Sequence, residues 1–334
     1  MRRLFFIPER FQRNTQTRST HPQLLIQQNL ANTARKRDER DGRRSASGPR
    51  MITRRSRLPR RLALLACAHL SSATATELPS FRLAPPATAS LGAALQSAVA
   101  AFATAAVPEA EVSAQHLLAR AAGFGSSRSA LTAQLDAPLS EPARSRFEQM
   151  CSRRLARQPV QYILGDWDFH ELTLQLRAPV LIPRPETEQL VEMVLAAHGD
   201  QPALRLLDVG CGSGAIGLAL LNKLPGATCV GIDIREEAVD LSAENAALVG
   251  VAARYSALHV PGGIAAFTAE QPFDVIVSNP PYIPAADMPG LAPEVRQYED
   301  HAALCGGTDG ADVIRELLRV APRLLRPQVR VRVS

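Results

Sequence analysis

The sequence predicts an α/β protein, a parallel sheet with helices on both faces, preceded by a small helical domain. Three observations carry this. From residue 204 to 325, short apolar runs alternate with amphipathic helical patterns, the signature of parallel strands joined by helical crossovers. A glycine-rich turn, Gly210-Cys-Gly-Ser-Gly214, falls directly between one such strand and the helix after it. Residues 90–158 show only the helical period, with short connections and no strand pattern.

At 334 residues the chain is long enough for about two domains. Apolar residues make up 46% of it, yet no run stays apolar for the roughly 18 residues that a membrane-spanning helix needs. The five cysteines (Cys67, Cys151, Cys211, Cys229, Cys305) form no close pairs, so neither a disulfide framework nor a zinc ribbon is indicated, and no metal site is expected. The net charge of +6 is unevenly spread. Residues 1–80 hold 17 Lys and Arg against 5 Asp and Glu, a balance of +12, and residues 81–334 hold the remaining 21 against 27, a balance of −6. A mildly acidic body argues against a protein that coats nucleic acid.

Taken in order, residues 1–80 read as a disordered leader, rich in Arg, Ser, Thr and Gln, without apolar periodicity. No acidic residue occurs from Gly42 to Thr76 while eight arginines accumulate, the composition of a mitochondrial transit peptide. A secretory signal built on residues 62–70 and a cytoplasmic protein with an unstructured extension are the competing readings. In the helical domain, 90–158, Leu91, Leu95, Ala98, Val99 and Phe102 share one face. A second helix around Val112, Leu117 and Leu118 ends at Gly123 and Gly125, and a short third helix spans Leu131 and Leu135. A fourth runs from Phe147 to Leu155, after Glu141-Pro142. Residues 159–199 are expected to be a hairpin of strands 160–164 and 169–176 followed by a linker and a helix at 186–197. The last domain, 200–334, is expected to hold strands at 204–209, 229–232 and 275–278, with helices at 215–224, 236–249 and 310–325.

Glycines let the turn at 210–214 bend tightly and approach a ligand without a Cβ in the way. The spacing of Gly210, Gly212, Gly214 and Gly217 imitates a dinucleotide fingerprint, but two acidic residues favour S-adenosylmethionine. Asp208, just before the loop, could help position the cationic methionine end. Asp233, closing the next strand 19 residues beyond Gly214, could accept both ribose hydroxyls. Cys211 and Ser213 are then small loop residues beside the cofactor.

The string Phe273-Asp-Val-Ile-Val-Ser-Asn279-Pro-Pro-Tyr282 runs a buried strand straight into Asn-Pro-Pro-Tyr. These residues suit holding a planar amino group against an electrophilic methyl. Asn279 can accept from the amino group through its side-chain oxygen, and Pro280 fixes the turn and offers its carbonyl as a second acceptor. Pro281 continues the turn, and Tyr282 offers a flat face for stacking.

With these strings the chain resembles the HemK/PrmC-type protein-(glutamine-N5) methyltransferases, which methylate the GGQ glutamine of translation release factors, and looks most like their mitochondrial members. The resemblance runs from about Leu91 to Leu325. It is carried by Gln158-Pro-Val-Gln-Tyr-Ile-Leu-Gly165, Leu181-Ile-Pro-Arg-Pro-Glu-Thr-Glu188, Asp208-Val-Gly-Cys-Gly-Ser-Gly214, Asn279-Pro-Pro-Tyr282 and Tyr298-Glu-Asp-His-Ala-Ala-Leu-Cys-Gly-Gly307. It implies a Rossmann-like class I S-adenosylmethionine-dependent methyltransferase sheet, cofactor contacts at the glycine loop, Asp233 and Asn279, and a glutamine site at Asn279–Tyr282. It also implies that Arg184 and Glu186 lie in a linker beside the site, either touching substrate or pairing with each other to fix that linker. A release factor is the expected partner, with no direct nucleic-acid binding and no membrane.

Two departures stand out. The aromatic that usually packs on the adenine is hard to place in 254–271, with Phe267 the candidate. The Arg-Val alternation of 328–334 does not read as a buried central strand, so the C-terminal strands look missing or replaced, leaving the outer edge of strand 275–278 unpaired. The alternatives are an adenine-N6 methyltransferase acting on DNA or RNA, since Asn-Pro-Pro-Tyr suits any planar amino group, and an inactive truncated chain that only binds.

Overall fold

The computed structural model describes Leu4–Phe5, residues 79–84, 90–201 and 203–327, all within one compact unit. The rest of the leader and the tail at 328–334 lie outside the described residues, and with them the expectations of disorder, transit peptide and replaced terminus.

Four helices form the first layer: α1 (Leu91–Thr104), α2 (Ala110–Ala122), α3 (Arg128–Thr132) and α4 (Glu141–Leu155). The Ser90 hydroxyl caps α1 by accepting the Ala93 N–H at 3.2 Å, and Gly123 ends α2 in the left-handed conformation that costs glycine least. Phe102, Leu117, Leu118, Leu131 and Phe147 are fully buried between them. The domain starts earlier than the helical period suggests. Phe81 and Leu83 are buried in the same core, and the Leu83 N–H donates to the buried Glu148 carboxylate at 3.0 Å.

One expected strand is a helix. Residues 160–164 form α5 (Val160–Leu164), because Pro159 sets its entry, Gly165 closes it at φ +84°, and Val160 and Ile163 reach one turn apart into the helical core. The hairpin begins just after it, pairing β2 (Asp166–Phe169) with β3 (Leu172–Gln175), so the expected strand 169–176 is broken by the turn at His170-Glu171, while Leu172, Leu174 and Leu176 are buried in alternation as expected.

After a 3₁₀ turn at Pro185–Thr187, helix α6 (Glu188–His198) leads into the main sheet. Strands β4 (Arg205–Val209), β5 (Thr228–Asp233), β6 (Tyr255–His259) and β7 (Val275–Ser278) are all parallel. Helices α7 (Ala215–Lys223), α8 (Glu236–Leu248), the short α9 (Gly263–Ala266) and α11 (Asp312–Leu324) cross between or follow them, and α10 (Pro293–Tyr298) lies in the connection after β7. Side chains alternate across β4 and β7. Leu206, Val275 and Val277 pack under α6 and α7, whereas Leu207, Val209 and Ile276 pack with α11, so both faces are covered as a parallel sheet requires. β6 had no counterpart in the sequence reading. It is an edge strand with only Tyr255 buried, too polar to show a period.

The outer edge of β7 is not bare, contrary to the expectation from sequence. The strand order is β1-β7-β4-β5-β6, with β1 (Leu4–Phe5) lying parallel to β7 so that Leu4 faces Ile276 and Phe5 faces Val277. One step earlier, the Phe273 N–H donates to the Leu324 carbonyl at 2.8 Å and the Phe273 carbonyl accepts the Arg326 N–H at 3.0 Å. Main-chain groups on a sheet edge need partners, and two paired residues are too few to announce themselves as a strand.

Candidate active site

The carboxyl ends of β4, β5 and β7 open onto one cavity of about 370 Å³, the crevice where ligands bind in open parallel sheets. The loop after β4 forms its floor. Gly210, Gly212 and Gly214 hold φ of +71°, +55° and +83°, and a side chain at Gly210 would meet nothing within 4 Å. The loop is tied down from several directions. Gly210 and Cys211 N–H groups donate to the Ile232 carbonyl at 2.8 and 3.1 Å, the Gly212 N–H donates to Asp233 Oδ2 at 3.0 Å, and the buried Asn245 donates to the Ser213 carbonyl at 2.9 Å.

Gly210, Cys211, Gly212, Ser213 and Asp233 all line the cavity, but Gly214 and Asp208 do not. Asp208 is fully buried beneath the loop, where its Oδ2 accepts the Gly217 N–H at 3.0 Å and steadies the start of α7; its Oδ1 has no hydrogen-bond partner among the described residues. Burial pushes its carboxyl up to about 7, and the nearby Asp233 adds to the rise. It therefore supports the loop from below. Asp233 is also raised, by burial first, although N–H groups of Gly212 and Arg235 pull the other way. Burial pushes the Cys211 thiol up as well, away from the reactive thiolate form.

Opposite the loop, Asn279, Pro280 and Pro281 line the cavity, while Tyr282 stands just outside its lining. Ser278 anchors the end of β7 by donating to the Val209 carbonyl at 2.7 Å, and the Asn279 side-chain amide donates to Thr187 Oγ1 at 3.3 Å. Glycines behind the loop let the chain pack close: a Cβ at Gly306 would fall 2.7 Å from the Pro281 carbonyl oxygen, and one at Gly310 2.2 Å from that of Tyr282. That explains Gly306 and Gly310.

Arg184 and Glu186 are near the cavity without lining it, and they do not pair with each other. Arg184 binds both oxygens of the buried Glu299, at 2.7 and 2.8 Å, and Glu299 also accepts the Ile182 N–H at 3.2 Å. Next to it Asp300, on the cavity wall, takes two hydrogen bonds from Arg235 at 2.6 and 3.0 Å. Phe267 is not in the cavity; its ring lies 6.2 Å from that of Phe273. The wall at that place is Ile234, Val260, Pro261 and Ile264, aliphatic in place of aromatic. Sequence reasoning missed Thr187, Asn245, Glu299 and Asp300. Glu299 and Asp300 sit in a matched string and Thr187 in another, but their partners are distant in the chain.

A parallel α/β sheet carrying a glycine loop, an acidic residue on the next strand and the Asn279-Pro280-Pro281 turn around one cavity defines an S-adenosylmethionine-dependent methyltransferase. The comparisons agree. Residues 93–165 match the family model described as "PrmC N-terminal domain" and residues 187–290 that of the "Methyltransferase small domain". The chain is 44% identical over 238 residues to the MTRF1L release factor glutamine methyltransferase of Homo sapiens, covering 66% of this chain and 68% of that one. It is 42% identical over 241 residues to the release factor glutamine methyltransferase of Bradyrhizobium diazoefficiens, covering 71% and 80% respectively, and 48% identical over 181 residues to that of Rhodospirillum rubrum, covering 54% of each. The chain belongs to the release factor glutamine methyltransferase family.

The residues present fit the cofactor. At Gly210 and Gly212 the loop presents main chain with no Cβ in the way, the Asp233 carboxylate stands at the end of β5, and Ile234, Val260, Pro261 and Ile264 give the cavity an apolar wall. Among the described residues no group of His, Cys, Asp and Glu is placed to hold a metal ion, and no helix is long and apolar enough to cross a membrane.

Proposed function

We propose that this chain transfers a methyl group from S-adenosylmethionine to the side-chain amide nitrogen of the GGQ glutamine of a peptide chain release factor, supporting translation termination. The observation that carries this reading is that Asn279–Pro281 and the glycine loop with Asp233 face a single cavity, so an amide held by the first would meet a methyl donor held by the second. When bound, S-adenosylmethionine supplies the electrophilic methyl, whose bond to sulfur breaks as the N–C bond forms, so that S-adenosylhomocysteine leaves. The protein has to overcome a weak nucleophile, because an amide nitrogen shares its lone pair with the carbonyl. Asn279 Oδ1 and the Pro280 carbonyl are the two acceptors that orient the substrate amino group, and their partial negative charges stabilise positive charge growing on nitrogen as the N–C bond forms. The nitrogen then sheds one proton to solvent. No side chain needs to become a covalent intermediate, in keeping with the raised Cys211 thiol.

In this reading the main chain of Gly210–Ser213 receives the methionine part, Asp233 the ribose hydroxyls, and the aliphatic wall the base. Replacement of Asp233 by alanine is expected to raise the KM for S-adenosylmethionine roughly tenfold or more while kcat falls less, because ribose contacts bind ground and transition states alike. Steady-state kinetics on the full chain test this. An unchanged KM with dead chemistry would remove Asp233 from the ribose role. The Arg-rich leader, free of acidic residues from Gly42 to Thr76, supports a mitochondrial address, which import into isolated mitochondria would test.

A further inference from the structure

An asparagine side chain is nearly symmetric in shape, so sterics alone leave either its oxygen or its amino group facing a cavity. For Asn279 the choice matters, since only the oxygen can accept from a substrate amide. In the structure the amino half of the side chain is the one bound to the protein. Asn279 Nδ2 donates to Thr187 Oγ1 at 3.3 Å, and Thr187 is 4% exposed and lines the same cavity. The threonine is itself held in place. Its N–H donates to the Arg184 carbonyl at 2.9 Å, and the Arg184 guanidinium is locked on both oxygens of Glu299, whose Oε2 also accepts the Ile182 N–H. Glu299 is 4% exposed, so this anchor is shielded from water.

We infer that Thr187 is a positioning residue for methyl transfer: its hydroxyl takes the Asn279 amino group and so keeps Asn279 Oδ1 facing the substrate nitrogen. This rests on the proposed role of Asn279 and extends it along the chain Glu299, Arg184, Thr187, Asn279. It also gives Arg184 a task that is neither substrate contact nor pairing with Glu186. Without the hydroxyl, the Asn279 amide loses this tether and is freer to turn, and one orientation brings two N–H donors toward a substrate that also donates.

The test compares Thr187→Val, Thr187→Ser and Asn279→Ala in the full chain, with a release factor as substrate. Valine keeps the shape and loses the acceptor; serine keeps the acceptor and loses a methyl. Thr187→Val is expected to lower kcat about tenfold, the scale of one hydrogen bond, with the KM for S-adenosylmethionine and the melting temperature little changed. Thr187→Ser is expected to restore most of that rate. If Thr187→Val turns over at the wild-type rate while Asn279→Ala is inactive, Thr187 has no positioning role. If serine is as impaired as valine and both melt early, Thr187 is a packing residue and the inference is overturned. If Asn279→Ala itself retains normal turnover, the fault lies with the assignment of the substrate loop and takes the inference down with it.

Discussion

Replacement of Asn279 by alanine is expected to reduce methyl transfer to a release factor on the order of 100-fold or more, the usual cost of removing one preorganised group aimed at developing charge. Cofactor binding should weaken only modestly. The reason is positional: Asn279 follows the fully buried β7 directly, its backbone is anchored by the neighbouring Ser278, and its side chain is held from behind by Thr187. Such a group is rigid before substrate arrives, so its loss is not made good by a neighbour. The measurement is kcat for the variant beside a thermal shift with S-adenosylmethionine, which separates lost chemistry from lost binding. Near-normal turnover would contradict the substrate-loop assignment.

The second large effect concerns stability. Glu294, in the first turn of α10, reaches back to the helical domain, where its carboxylate accepts from Arg154 at 2.9 Å and from Arg157 at 2.8 and 2.9 Å. Arg154 is 4% exposed and Glu294 9%. Burial alone would raise the Glu294 carboxyl, but hydrogen bonds from Arg157 and Arg154 outweigh it and hold it below the ordinary value. Glu294→Ala would leave a buried guanidinium without its counter-charge, and breaking such a network commonly costs about 3 kcal/mol or more. A lower denaturation midpoint is therefore expected. A carboxyl depressed in the folded state stabilises above its unfolded pKa, and that contribution fades as acidification passes through the folded value. Wild type should accordingly lose more stability than the variant as pH drops below about 4. Equal midpoints would show that the remaining partners of Arg154, on Ser113 and two carbonyls, suffice.

What could be read from the sequence and what could not divides along a physical line. That the glycine turn, Asp233 and Asn279-Pro280-Pro281 would meet at one cavity was legible, because each stands at the carboxyl end of a strand of the same parallel sheet. The strand at 275–278 was legible because burial on both faces leaves an unbroken apolar run. Residues 160–164 were misread, since a five-residue helix and a short strand of Val, Tyr, Ile and Leu look alike until Pro159 and Gly165 are weighed as its ends. Asp208 was placed at the ligand, whereas burial turns it under the loop to serve the Gly217 N–H. Thr187, Glu299 and Glu294 act through partners 92, 115 and about 140 residues away, and no local pattern encodes such pairings. The cover that β1 lends to β7 is of the same kind.

The most direct measurement of the central claim is to incubate the full chain with S-adenosylmethionine and a GGQ-containing release factor, and to locate any added methyl by peptide mass spectrometry. The account predicts one methyl group on the side-chain amide nitrogen of the GGQ glutamine, and none when that glutamine is replaced. An unmodified glutamine, in a preparation whose melting temperature rises with S-adenosylmethionine, would contradict it.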